Sequence, residues 1–119
     1  MSVTAPTQIR VSTRSRTVEV TWPDGHQHEL PAEYLRVHSP SAEVRGHGGG
    51  EGALVHGKEG VAITEVEPIG HYAVRLVFDD GHNSGIYTWA YLAELGEQQS
   101  ARWAAYLARL EKAGVSRVP

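Results

Sequence analysis

Val18-x-Val20-x-Trp22-x-Asp24-Gly25-His26-x-x-x-Leu30 is followed, at a constant offset, by Val74-x-Leu76-x-Phe78-x-Asp80-Gly81-His82-x-x-x-Ile86. Each stretch alternates apolar and polar residues, breaks at Asp-Gly, and resumes with an apolar position. Alternation is the mark of a strand with one face buried, and Asp-Gly supplies the positive φ that a tight hairpin turn needs. In the first copy Pro23 also presets φ before the turn. Tyr34-Leu35 and Tyr91-Leu92 then correspond after one inserted residue. Two copies are too few for a solenoid. The pattern predicts an α+β fold: a mainly antiparallel sheet from two similar hairpin-plus-short-helix units, with a C-terminal helix packed on it.

Working outward, residues 1–8 read as a flexible tail and 9–114 as a single domain. Ile9–Val11 and Thr17–Trp22 are expected strands joined around Arg14-Ser15-Arg16, and Gln27–Leu30 is expected to return as a short strand. Pro31 opens a helical turn over Ala32–Arg36 from a position where its missing N–H is harmless. Ser39-Pro40 followed by Gly46 predicts a second short helix, with Ser39 as its cap. The tract 46–52, His47-Gly48-Gly49-Gly50 included, reads as a flexible glycine-rich loop. Val61–Val66 and Tyr72–Phe78 form the next predicted strand pair, turning around Pro68-Ile69-Gly70. Thr88 is the expected cap of a helix that Gly96 would stop. A longer helix is expected over 97–113, ended by Gly114. Its residues Trp103, Tyr106, Leu107 and Leu110 share one face, which predicts core packing.

The 119 residues are enough to bury a core without a metal or disulfide. The net charge of −3 gives no reason to expect nucleic acid or an anionic membrane as partner. No apolar run approaches the ~20 residues that cross a bilayer, and Met1–Thr7 lacks the features of a secretory signal. A cytoplasmic location is the expectation. Cysteine is absent, which removes thiolate ligands and thiol nucleophiles.

Several motifs suggest chemistry and fall short of it. Gly52 to Lys58 has the glycine and lysine spacing of a phosphate-binding loop, but Glu59 stands where Mg²⁺ needs Ser or Thr. His47–Gly50 resembles an oxyanion-hole tract, but the chain has no Gly-x-Ser-x-Gly elbow, so Ser84 has no support as a nucleophile. Neither His-x-Asp nor His-x-Glu occurs, so a non-haem iron triad is not expected. The seven histidines do raise a metal reading. His26 and His28 would share a strand face, and His38, His47, His56 or His82 could join them only through the fold. The tryptophans, at strand ends and on helix stripes, read as core residues.

The runs Leu35-Arg36-x-x-Ser39-Pro40-Ser41-Ala42-Glu43-Val44-Arg45-Gly46, Ile63-x-x-Val66-Glu67-Pro68-Ile69-Gly70-x-Tyr72-Ala73-Val74 and Asp80-Gly81-His82-x-Ser84-Gly85-Ile86-Tyr87-x-Trp89-x-x-Leu92 resemble the gamma-butyrobetaine hydroxylase-like N-terminal domain. The likeness covers roughly residues 9–96. Domains of that family precede the catalytic domain of gamma-butyrobetaine and trimethyllysine hydroxylases, accompany some P-loop proteins of iron–sulfur assembly, and occur as free-standing bacterial proteins. In the hydroxylases the domain holds a structural zinc through three cysteines and a histidine. By position the resemblance puts those cysteines at Ser39, Ser41 and Val44 and the histidine at His82. His82 is thus the single family metal ligand retained. Serine is a poor zinc ligand and valine is none.

The resulting expectation is a non-catalytic accessory or protein-binding domain, associated with an oxygenase or iron–sulfur protein, with no cofactor required. Its expected partner is a protein, a metalloprotein by the resemblance, met through a surface around His82, Ser84 and the 46–52 loop. The alternative is a histidine-based protein that binds iron or zinc. An enzyme is the third reading and lacks a motif.

Overall fold

The computed structural model describes residues 4–12, 14–40 and 54–118. The expected glycine loop 46–52, and all but Ser39 and Pro40 of the expected Ser39–Gly46 helix, lie outside the described residues.

Two three-stranded antiparallel sheets carry the fold. β1 (Gln8–Ser12), β2 (Thr17–Thr21) and β3 (Gln27–Pro31) pair in that order, and α1 (Ala32–Val37) follows. β4 (Ile63–Ile69), β5 (Ala73–Phe78) and β6 (Gly85–Thr88) form the second sheet, followed by α2 (Trp89–Glu97) and α3 (Gln99–Ala113). The alternation in β2 places Val18 and Val20 inside, and that in β5 places Val74, Leu76 and Phe78 inside. Side chains of both sheets and of α1 and α2 meet in one core, with Tyr34, Leu35, Tyr87, Leu92 and Leu95 almost fully enclosed. A smaller cluster of Val37, Tyr106 and Leu110 holds α3 against α1.

The two Asp-Gly-His turns are built alike. Trp22 donates its N–H to the His26 carbonyl at 2.9 Å, and Phe78 donates to that of His82 at 3.0 Å. Each aspartate Oδ1 accepts the N–H of the histidine two residues on, at 3.1 Å in the first copy and 3.0 Å in the second. Gly25 and Gly81 hold φ of +92° and +93°, a left-handed backbone that any side chain would strain.

Register separates the copies. Val18 pairs with Leu30 but Val74 pairs with Tyr87, while Ile86 pairs with Arg75. The extra residue therefore falls between His82 and Gly85, inside the second turn. Tyr87 rather than Ile86 is the counterpart of Leu30, and Ile86 is 41% exposed. A one-residue slip turns every following side chain to the other face, and two adjacent apolar residues hide that slip from the sequence pattern.

Contacts between the units come in exchanged pairs. Tyr34 Oη donates to the carbonyl of Leu95, four residues beyond Tyr91, at 2.7 Å. Tyr91 Oη donates to the carbonyl of His38, four residues beyond Tyr34, at 2.6 Å. One residue further along, Gly96 packs on the ring of His28 and Ser39 packs on Gly85. His28 and Gly85 occupy equivalent positions, six residues before the two tyrosines. This exchange is what a two-fold relation between the units produces.

Four expectations change. Gln8 belongs to β1 and Thr7 N–H donates to the Thr21 carbonyl, so the order begins before residue 9. Pro68 lies within β4 rather than in the turn, because β4 is an edge strand and tolerates a residue with no N–H. Gly96 does not stop α2, which runs on to Glu97 with its C-cap at Gln98. Leu107, expected in the core stripe of α3, is 39% exposed, whereas Tyr106 and Leu110 are buried. Thr88 caps α2 as expected, its hydroxyl accepting from Tyr91 N–H, and Gly114 ends α3 in the left-handed conformation.

Candidate functional site

The second turn delivers His82 to the interior. Its backbone is pinned by Asp80, and its Nε2 lies 2.9 Å from Ser39 Oγ, just beyond α1. Ser39 is 2% exposed and His82 6%. Tyr87 is buried beside them and donates to the Leu35 carbonyl at 2.5 Å, and burial raises its phenol pKa strongly. Position 85 must be glycine here, since a Cβ would sit 2.6 Å from Ser39 Oγ. The fold thus brings together two of the four positions at which the resemblance puts the family's ligands; Ser41 and Val44 lie outside the described residues.

Asp80 links this pocket to the surface. Its Oδ2 receives Arg36 Nε at 2.9 Å and Lys58 Nζ at 2.7 Å. Burial alone would raise the Asp80 pKa. The hydrogen bonds from Lys58, the His82 N–H and Arg36 outweigh it and hold the group at about 2. Two cations on one carboxylate fasten α1 and the 57–60 segment to the second turn. This is a structural clasp that the sequence pattern did not announce, because Arg36, Lys58 and Asp80 are far apart in the chain.

The first turn presents its histidines differently. His26 is exposed, with Nδ1 against Asp24 Oδ1. His28 Nδ1 lies 2.9 Å from Trp22 Nε1. An indole N–H can only donate, so Nδ1 accepts and the neutral ring carries its proton on Nε2. Their rings stand 5.0 Å apart at 77°, but the nitrogen that His28 could offer a metal is already engaged. His38 binds the Tyr34 carbonyl through Nδ1, and burial lowers its pKa. His56 is exposed, and His47 lies outside the described residues. Among the described residues no three His, Asp or Glu side chains converge to hold a metal ion.

The pair formed by Ser39, beyond α1, and His82, on the second turn, is a poor donor set for a metal, since a serine hydroxyl is a weak zinc ligand. Two ligands of a tetrahedral zinc, each roughly 2.0–2.1 Å from the ion, stand roughly 3.4 Å apart. Ser39 Oγ and His82 Nε2 are at hydrogen-bond distance instead. As a serine–histidine dyad the pair has the spacing of an activated nucleophile, yet both side chains are enclosed.

Burial lowers the pKa of His28, and the neighbouring His26 lowers it further. The group is therefore depressed in the folded state. The unfolded chain takes up the proton first, so the contribution of His28 is complete above about pH 6.5 and is lost as the pH falls below it. Asparagine at position 28 keeps an acceptor for Trp22 without titrating. Melting temperatures followed from neutral to mildly acidic pH are expected to fall more steeply for the wild type than for His28→Asn. Equal slopes would contradict this.

An open groove of about 590 Å³ lies where α3 leaves the core. Pro31, Tyr34 and Gly96 form one wall, and Ser100, Trp103 and Leu107 of α3 form the other. The apolar stripe expected to be core is thus divided, with Tyr106 and Leu110 buried and Leu107 facing the groove.

The comparisons agree with this architecture. The family model described as gamma-butyrobetaine hydroxylase-like, N-terminal, matches residues 9–93, and the chain belongs to that family. An NMR solution structure 47% identical to this chain superposes with a TM-score of 0.87 and covers 99% of it and 93% of its own length. A second NMR structure, 45% identical, gives 0.85 over 99% of this chain and 88% of its own. A crystal structure of a DUF971-family protein of unknown function from Acidithiobacillus ferrooxidans is 48% identical. It covers 76% of this chain and 91% of its own, with a TM-score of 0.64. No curated protein matches. The family model ends before α3, so the groove joins the family core to a helix outside the matched region.

Proposed function

We propose that the chain is a non-catalytic accessory domain that binds another protein through the groove beside α3. The observation that carries this reading is the half-open apolar stripe. Leu107 and Trp103 line the groove with Pro31 and Tyr34, while Glu97, Gln99 and Ser100 give it a polar rim. Apolar centre and polar rim are the anatomy of a protein-binding patch. A surface centred on His82 is less suited, because that side chain is buried; Ser84 is exposed. By the family's association the partner is a metalloprotein, an oxygenase or an iron–sulfur protein, and the warrant for that identity is analogy. The setting is cytoplasmic in this reading. Among the described residues no helix is long and apolar enough to cross a membrane.

The test is co-purification from the native cells with wild type and Leu107→Glu. The expected result is a partner that the wild type retains and the variant loses, at unchanged melting temperature. Identical partners for both chains would show that the groove is not the binding surface. Turnover of a substrate by the isolated domain would overturn the non-catalytic reading.

A further inference from the structure

We infer that this chain closes the Ser39–His82 crossing with a side-chain hydrogen bond in place of a metal, so its fold does not depend on zinc. The family resemblance locates a metal at these positions, and the residues present do not fit one. Ser39 Oγ and His82 Nε2 are 2.9 Å apart, a hydrogen-bond distance and shorter than the separation of two zinc ligands. Both side chains are enclosed. The hydroxyl also lies against Gly85, where no Cβ could be accommodated, so backbone and side chain are already close-packed there.

The internal duplication supplies an independent argument. The two units exchange contacts, and the crossing equivalent to Ser39–Gly85 is Gly96–His28. At that second crossing the His28 imidazole fills the space against Gly96, and its Nδ1 accepts from Trp22 Nε1 at 2.9 Å. Nature has thus solved the same packing problem twice in one chain. In one crossing a histidine on the strand accepts an indole N–H; in the other a histidine on the turn shares a hydrogen bond with a serine hydroxyl. Each crossing is closed by a histidine hydrogen bond, and among the described residues no three His, Asp or Glu side chains converge as a ligand set. The hydrogen bond holds the chain beyond α1 to the second turn, where Arg36 and Lys58 already grip Asp80.

The experiment uses the full chain purified without a histidine tag. Metal content is measured by elemental analysis, and thermal unfolding is followed with EDTA and with added zinc. The expected result is metal far below one ion per chain and a melting temperature that neither reagent moves. Ser39→Ala is expected to lower the melting temperature by about 4 °C, the change expected from one lost buried hydrogen bond in a domain of this size. A long-range nitrogen–proton NMR spectrum is expected to show His82 Nε2 shifted by Ser39→Ala and unmoved by EDTA; this readout survives even if His82 variants do not fold. Stoichiometric zinc whose removal unfolds the protein would overturn the inference. So would a His82 resonance that responds to EDTA, or a Ser39→Ala variant indistinguishable from wild type.

Discussion

Alanine at position 96 is expected to destabilise the domain by about 2 kcal/mol. Helix propensity alone says the opposite, since Gly96 lies inside α2 and alanine is favoured over glycine there by about 1 kcal/mol. The deciding fact is the ring of His28. A Cβ on residue 96 would sit 2.6 Å from its Cε1 and nearer still to Cγ and Nδ1. The imidazole would have to move, and moving it breaks the bond from Trp22. Overpacking of a tight site costs about 1–3 kcal/mol, and losing the indole's acceptor adds about 1 kcal/mol, which together exceed the helical gain. Denaturant unfolding of Gly96→Ala, His28→Ala and the double variant provides the check. His28→Ala makes room for the methyl, so the double variant is expected to be more stable than Gly96→Ala alone. A Gly96→Ala protein as stable as wild type would show that this crossing is loosely packed.

The second large effect concerns Arg117. Its Nε and Nη2 donate to the two oxygens of Glu33 at 2.8 and 2.7 Å. Its guanidinium also lies 5.2 Å from the centre of the Trp103 ring. The partners differ in burial: the Glu33 side chain is 7% exposed and that of Arg117 39%. Removing the arginine leaves a carboxylate enclosed without its cation, a change that costs about 3 kcal/mol. Removing the glutamate leaves a cation that water can reach, so Glu33→Ala is expected to cost about 1 kcal/mol. Lysine at 117 restores the charge but not the two-point geometry, and is expected to recover only part of the loss. Unfolding curves for Arg117→Ala, Arg117→Lys and Glu33→Ala test the order. A larger loss for Glu33→Ala than for Arg117→Ala would contradict the assignment of the buried partner. The same tail is stitched by Gly57 N–H to the Ser116 carbonyl and Glu59 N–H to that of Arg117, so order extends past the end of α3.

How much of this was legible in the sequence follows from the range of each interaction. The Asp-Gly turns, the Thr88 cap and the Gly114 terminus are local, and their residue types announce them. The repeat was legible because matched apolar positions flank both turns. The place of the inserted residue was not. Ile86 and Tyr87 are both apolar, and only the pairing of β5 with β6 shows which of them enters the core. Gly96 read as a stop because its reason for being glycine, the His28 ring, is contributed by the other unit. Leu107 fitted the helical stripe, and nothing local says that the core ends before reaching it. Ser39 with His82, Arg36 and Lys58 with Asp80, and Glu33 with Arg117 join distant stretches of chain. The family resemblance pointed to the first pair as ligand positions; their mutual bond comes from the fold. No sequence feature points to the other two.

Two units brace each other by exchanged contacts, and the tyrosine pair tests this most directly. Tyr34→Phe and Tyr91→Phe each delete one hydroxyl and leave one carbonyl without that donor. Hydrogen–deuterium exchange and denaturant unfolding on both variants measure the result. Two losses of similar size, each about 1 kcal/mol and each loosening the amides of both units, are predicted. A loss confined to one variant, or to the unit that carries the substitution, would contradict the exchanged architecture.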